Sequence, residues 1–181
     1  MRLHRLTNGK EVTSISVRLA GREHLSAIPG IEIAAAALFS EADLPESLRY
    51  KVTHISHLNE ALEQGRLWVA LCEDKPVGFA AASVIDGAGY LDELDVMPEF
   101  CRQGIGTKLV SMVIDWARAQ QFSCLTLVTF RHLAWNAPFY EQLEFRTMEA
   151  TEHGPELADL IREEHRVGLD GAKRVAMQLV I

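Results

Sequence analysis

The sequence predicts an α/β domain, with a central mixed sheet flanked by helices. Three observations carry that reading. Apolar strand-like segments joined by turn signals fill residues 67 to 97. A strand–helix–strand passage follows to residue 130, with the apolar period changing from two to 3.6 and back. A short helix and two more strand-like segments complete the order. Composition agrees: 181 residues with 48% hydrophobic content suit one core, and no linker-like run interrupts them, so residues 1–181 read as a single domain.

The elements follow in order. Residues 13–20 alternate weakly and read as a first strand. Residues 23–40 read as a helix broken or kinked at Pro29-Gly30, and Glu41 to Glu46 as a polar turn. Residues 54–64 form a short amphipathic helix that Gly65 ends. Leu67–Cys72 and Val77–Ile85 are strands joined through Glu73-Asp74-Lys75-Pro76, and Asp86-Gly87-Ala88-Gly89 turns the chain into a strand at 90–97. A helix over 104–120, a strand at 124–130, a short helix near 135–143 and a strand near 145–149 come next. Residues 155–166 read as a helix and 173–180 as the last strand.

The most informative run is Cys101-Arg102-Gln103-Gly104-Ile105-Gly106-Thr107-Lys108. It lies between the strand closed by Pro98 and a helix whose apolar face is Ile105, Leu109, Val113 and Trp116. A glycine turn that opens a helix aims several backbone N–H groups at one spot, beside the positive end of the helix dipole. Helix starts are usually rich in Asp or Glu. Here Arg102 and Lys108 flank the first turn and the first acid is Asp115, so the site expects an anion from outside. A dinucleotide fingerprint needs a third glycine where Leu109 stands, and an acid at the end of the next strand, which reads Phe130-Arg131. A Walker loop needs Gly-Lys-Ser/Thr, and the order here is Gly106-Thr107-Lys108.

With Leu94-Asp95-Val96-Met97-Pro98 before it, this loop resembles the Gln/Arg-x-x-Gly-x-Gly/Ala signature of the GNAT superfamily of N-acetyltransferases, with Cys101 in place of Gln or Arg. Trp135-Asn136-Ala137-Pro138-Phe139-Tyr140-Glu141-Gln142-Leu143-Glu144-Phe145 resembles the family's Asn-x-x-x-Tyr-x-x-Leu-Gly-Phe segment, with Glu144 where glycine is usual. The resemblance covers at least residues 76–149. It implies a GNAT-like acyl-CoA N-acyltransferase fold and acetyl-CoA as co-substrate. The pyrophosphate would lie on Arg102, Gln103, Gly104, Ile105, Gly106, Thr107 and Lys108. The pantetheine arm would lie along the backbone of Leu94, Asp95 and Val96, where the family strand bulges and splays from its neighbour.

The resemblance also places Tyr140 near the coenzyme sulfur, as the acid that protonates the departing thiolate. Without it Tyr140 reads as a packed aromatic beside Phe139 and Phe145. Asn136 is a candidate partner for the pantetheine arm and equally a helix N-cap. Trp135 would wall the pocket or join the core. Asp92, Glu93 and Asp95 crowd the strand beside the expected thioester, and Glu93 is the chosen general base against the reading of three solvated acids. Plain alternation sets Asp92 with Leu94 and Val96, and Glu93 with Leu91, unless the bulge that the resemblance implies breaks it. Glu32, alone in an apolar run, faces the acceptor pocket or lies on an exposed helix stripe.

The implied reaction is acetyl transfer to a primary amine of a small molecule or peptide, by direct attack in a ternary complex. No Ser/His/Asp or Cys/His arrangement supports an acyl-enzyme. The alternative from another class is a non-catalytic acyl-CoA-binding or sensor module. The acceptor pocket is expected to involve residues 39–49 and the region after Phe145. No metal is expected: His54 and His57 stand alone, and zinc takes three or four protein ligands. Net charge −7 argues against a nucleic-acid surface. No apolar run approaches a membrane span, and the polar, basic Met1–Lys10 lacks a signal core. Cys72, Cys101 and Cys124 form no Cys-x-x-Cys pattern, which fits a reduced cytoplasm. A homodimer is left open.

Overall fold

The computed structural model describes residues 14–181; the expectations for Met1–Lys10 and for the start of the first strand at residue 13 lie outside them. Strands β1 (Ile15–Leu19), β2 (Leu67–Cys72), β3 (Lys75–Ile85), β4 (Ala88–Val96), β5 (Cys124–Phe130), β6 (Arg146–Thr147) and β7 (Arg174–Val180) form one sheet. Their order is β1-β2-β3-β4-β5-β7-β6, a mixed sheet in which only β4 and β5 run parallel. The β2–β3 and β3–β4 hairpins are tighter than the sequence suggests. Each turns on two residues at positive φ, Glu73 (48°) with Asp74 (66°) and Asp86 (51°) with Gly87 (72°). That backbone twist matches the twist of the strands, so β3 and β4 each start two residues earlier than expected.

The helices are α1 (Ile28–Ala36), α2 (Glu46–Arg49), α3 (Ile55–Glu63), α4 (Ile105–Ala119), α5 (Ala137–Glu141) and α6 (Pro155–Arg166). The expected break at Pro29-Gly30 falls slightly earlier: a 3₁₀ segment, Arg22–Ala27, hands over to α1, which holds Pro29 in its first turn. A first-turn N–H has no intrahelical partner to lose, so Pro29 starts the helix rather than kinking it. The helix also ends at Ala36, short of residue 40.

Helix α4 buries Ile105, Leu109, Val110, Val113 and Ala117 against Trp68, Ala80, Leu91 and Leu125 on one sheet face. Gly89 lets it settle, since a Cβ there would meet Leu125 Cδ1 at 3.2 Å and Trp116 Cζ3 at 3.3 Å. The opposite face packs Phe79 and Ala81 against Ile28 and Ile31 of α1 and Leu58 of α3. Helix α6 covers Tyr90 and Ala176 through Leu157. Asp86 fastens α6 to the β3–β4 turn, accepting bonds from the amides of Glu156 (3.0 Å) and Leu157 (2.9 Å).

Two irregularities make the site. Strands β4 and β5 pair only at Gly89–Leu125 and Tyr90–Thr126, while β5 stays paired to β7 along its whole length. Beyond Tyr90 the parallel pair has therefore parted. On its other edge β4 carries a bulge: Ala81 pairs with Glu93 and Ala82 with Leu91, which leaves Asp92 without an opposite residue.

Candidate active site

The bulge breaks the plain alternation of β4, as the family's bulge at this strand implies. Leu91 packs with Leu94 and Val96 in the core on the α4 side. Glu93 and Asp95 pair with Ala81 and Phe79, whose side chains belong to the α1–α3 face. One extra residue shifts the phase of a period-two pattern, so Asp92 joins Glu93 and Asp95 rather than Leu94 and Val96. All three acids line a cleft of about 420 Å³ that runs through the gap between β4 and β5.

On the α4 side the loop presents a run of unpartnered backbone amides. Gly104 holds the N-cap position of α4 at φ 77°, where a Cβ would be strained although no atom lies within 4 Å of it. Arg102 also takes a positive φ, 60°. The amides of Gln103, Gly104, Ile105, Gly106 and Thr107 have no protein partner among the described residues, and the first turn of α4 holds no acid. Ile105 contributes only its amide, because its side chain is buried in the core. The Lys108 amide bonds back to Gly104 O at 3.1 Å, and its side chain is exposed. Arg102 is exposed as well, and Gln103 Nε2 donates to Glu99 O at 3.3 Å. Cys101 turns its thiol to the carbonyls of Val96 and Met97, and burial with Glu99 nearby pushes that thiol up.

Between loop and cleft stand Asn136 and Tyr140. Asn136 occupies the N-cap position of α5 but its side chain caps nothing. Its Nδ2 donates to Trp135 O at 3.2 Å, and its buried Oδ1 has no partner, free to accept an N–H. Tyr140 packs edge-on to Phe139 and Phe145 while lining the cleft, so packing and exposure to the site coexist. Burial, then Asp95 and Glu93, push its phenol up, which keeps it protonated. Glu144 sits at φ 68° in the left-handed region that the family's usual glycine favours. Trp135 is largely exposed, edge-on to Phe39 at 6.2 Å, and belongs to neither wall nor core.

On the far side, the cleft is lined by Phe39, Leu44 and Leu48 from the expected segment and by Glu164, Leu169 and Arg174 after Phe145. The sequence reading did not include Lys51, Val52 and Thr53, which complete that wall. Glu32 is buried and takes the pocket-facing alternative. Its Oε1 accepts from Thr53 Oγ1 (2.6 Å) and Thr53 N (2.9 Å), and its Oε2 has no partner. Arg174 is tied to Glu164 by two bonds, 3.0 and 2.7 Å, and stacks on Phe130 at 4.5 Å.

The carboxylates of Asp92 and Glu93 reach solvent through the cleft mouth, but the walls around them strip much of their hydration. Desolvation, then the neighbouring charges of Asp95, Glu32 and Asp92, raise Glu93 well above the carboxylate range. Desolvation and Glu32 raise Asp95 to about 7. Desolvation raises Asp92 to about 6 against the hydrogen bond from Ser83 Oγ, 2.7 Å long. A carboxyl that titrates near neutrality is suited to take a proton there.

The parted strands, the amide cradle at a helix start and the cleft between them define an acyl-CoA N-acyltransferase fold. The sequence matches the acetyltransferase (GNAT) family over residues 32–145, and the chain belongs to that family. Acetyl transfer is its reaction class and acetyl-CoA its co-substrate. Solved structures repeat the fold. The PaiA N-acetyltransferase of Thermoplasma acidophilum, solved with coenzyme A, shares 17% identity and a TM-score of 0.68 over 93% of this chain and 99% of that one. The ribosomal-protein-S18-alanine N-acetyltransferase of Escherichia coli shares 19% identity and a TM-score of 0.65, covering 93% and 94%. The N-acetylglutamate synthase of Neisseria gonorrhoeae, solved with coenzyme A and N-acetyl-glutamate, shares 18% identity and a TM-score of 0.66 over 92% of this chain and 35% of that one. No helix of the described residues is long and apolar enough to cross a membrane.

Proposed function

We infer that the chain acetylates a primary amine by direct attack on acetyl-CoA in a ternary complex. One observation carries the reading. A single cleft through the β4–β5 gap is lined by Asn136 and Tyr140 from one side and by Asp92, Glu93 and Asp95 from the other. The residues fit the co-substrate: unpaired amides and two cations for the pyrophosphate, Asn136 Oδ1 for an amide of the pantetheine arm, and the unladdered edge of β4 over Leu94, Asp95 and Val96 for the rest.

The chemistry then divides across the cleft. The amine nitrogen forms a bond to the thioester carbon, the C–S bond breaks, and two protons move. An alkyl ammonium has a pKa of ~10.4 and a thiol of ~8.5, so at neutral pH the nitrogen gives up two protons on its way to the amide, one before attack and one from the tetrahedral intermediate, and the leaving thiolate takes one up. Glu93 takes the first, aided by the shared field of Asp95. Tyr140, neutral and lining the cleft, protonates the thiolate, and the second proton from the nitrogen restores its phenol. None of the three cysteines lines the cleft, which supports direct transfer over an acyl-enzyme. All three thiols are free, in keeping with a cytoplasmic setting. The test is initial-rate kinetics of thiol release with both substrates varied. Intersecting lines are expected for a ternary complex, and parallel lines would refute direct attack. Tight acetyl-CoA binding with no thiol release from any amine would favour a binding module.

A further inference from the structure

The cleft does not end at the reacting centre. A second cavity, about 740 Å³, opens between α3 and α6 and shares Thr53, Tyr90, Asp92, Glu93 and Glu164 with the first. Its floor is aliphatic, from Leu58, Ala61, Ala81, Ala82, Leu160 and Val167. It adds two more carboxylates, Glu60 and Glu163. The cations that face these spaces are mostly committed. Arg174 is bound to Glu164, and Arg66 donates to Ala82 O (2.8 Å), Glu60 (3.3 Å) and Gln64. Glu163 pairs with Arg166 on the outer surface. Lys51 stands exposed at the first cavity and His57 at the second. Glu32, Asp92, Glu93 and Asp95 have no cationic partner among the described residues.

Acids alone do not make a site. Glu32 supplies the independent observation: it is 8% exposed, it lines the cleft, and one oxygen of its carboxylate has no partner. A buried carboxyl oxygen without a partner is a group waiting for a donor. An ammonium that approaches Glu93 and Asp95 comes beside Glu32, whose charge acts on both.

We propose that the acceptor is an aliphatic diamine or polyamine, with its leading amine among Glu32, Glu93 and Asp95 and its trailing ammonium in the second cavity, on the side of Asp92 and Glu60. The alkyl chain covers the Leu58–Ala81 floor, and an anionic amine is repelled at both ends. The proposal rests on the amine-transfer reading above and narrows it.

The test compares thiol release from putrescine, spermidine, n-butylamine and glutamate at saturating acetyl-CoA. The diamine should exceed n-butylamine in kcat/KM by about tenfold at low salt, the size of one partly screened ion pair, and the advantage should shrink as salt rises. Glu60→Gln should lower the diamine-to-monoamine ratio, because it removes a charge near the trailing ammonium and leaves Arg66 less compensated. n-Butylamine has no trailing charge, so it reports any structural loss common to both substrates. Glu32→Gln, which keeps an acceptor oxygen for Thr53, should lower kcat/KM for both amines. A ratio near one in the wild type, or a preference for glutamate, would overturn the diamine site and leave amine transfer intact. Absence of thiol release with every amine would overturn both.

Discussion

Asp95→Asn should stabilise the uncomplexed protein at pH 8 and have almost no such effect at pH 4. The native carboxyl titrates at about 7 against the ordinary aspartate value of 3.8, because burial and Glu32 disfavour its charge. Between those two values the native chain keeps a proton that the unfolded chain has released. Rising pH across that window therefore favours unfolding, and the loss is complete above the native pKa. At ~1.4 kcal/mol per unit the ceiling is about 4 kcal/mol. Asp95 is only half-buried beside an open cleft, and solvent screening brings the expectation to about 2 kcal/mol. Asparagine has the same shape and nothing to ionise, so it escapes this loss. For a chain of this length that is about 4–8 °C in melting temperature. Urea unfolding of both proteins at intervals from pH 4 to pH 8.5 measures it directly. Glu93 titrates in both and largely cancels in the difference, apart from its coupling to Asp95. A difference that does not grow with pH, or an Asp95→Asn protein less stable than wild type at pH 8, would refute the desolvated-carboxyl account.

Three further outcomes follow from the same geometry. Acetyl-CoA should raise the wild-type melting temperature by mass action, and Gly104→Asp should abolish the rise by placing an anion in the amide cradle; an unchanged rise would remove the loop from the binding site. Tyr140→Phe should leave coenzyme affinity within a few-fold and cut kcat by roughly 10²-fold, and wild-type turnover where chemistry limits the rate would remove Tyr140 as the acid. Glu93→Gln should lose most activity near neutral pH and recover at high pH, where the free amine already exists. A deficit independent of pH would make Glu93 a positioning residue, and a full-size loss in Asp92→Asn with none in Glu93→Gln would transfer the base to Asp92.

Much of this protein is determined locally and could be read from its residues. The strand closed by Pro98, the glycine turn and the amphipathic α4 are encoded within about twenty positions, because φ/ψ freedom at glycine and a 3.6-residue apolar period need no distant partner. Gly104 at positive φ and the acid-free start of α4 follow directly from such signals, and the Asn136–Tyr140 segment at the start of α5 is legible through its resemblance to the family's motif. What the sequence could not decide is the face on which a charge lands. A single unpaired residue at Asp92 inverts the alternation of β4, and pairing with Ala81 and Ala82, not anything in β4 itself, sets where that residue falls. The same holds for Glu32. Its position in an apolar run allowed either a solvent stripe or a pocket. Only the packing of α1 on the sheet, with Thr53 holding one carboxylate oxygen, turns it toward Glu93 and Asp95, some sixty residues away in the chain. Local backbone preferences are properties of short segments, whereas the hydration and field around a carboxyl depend on every chain segment that surrounds it.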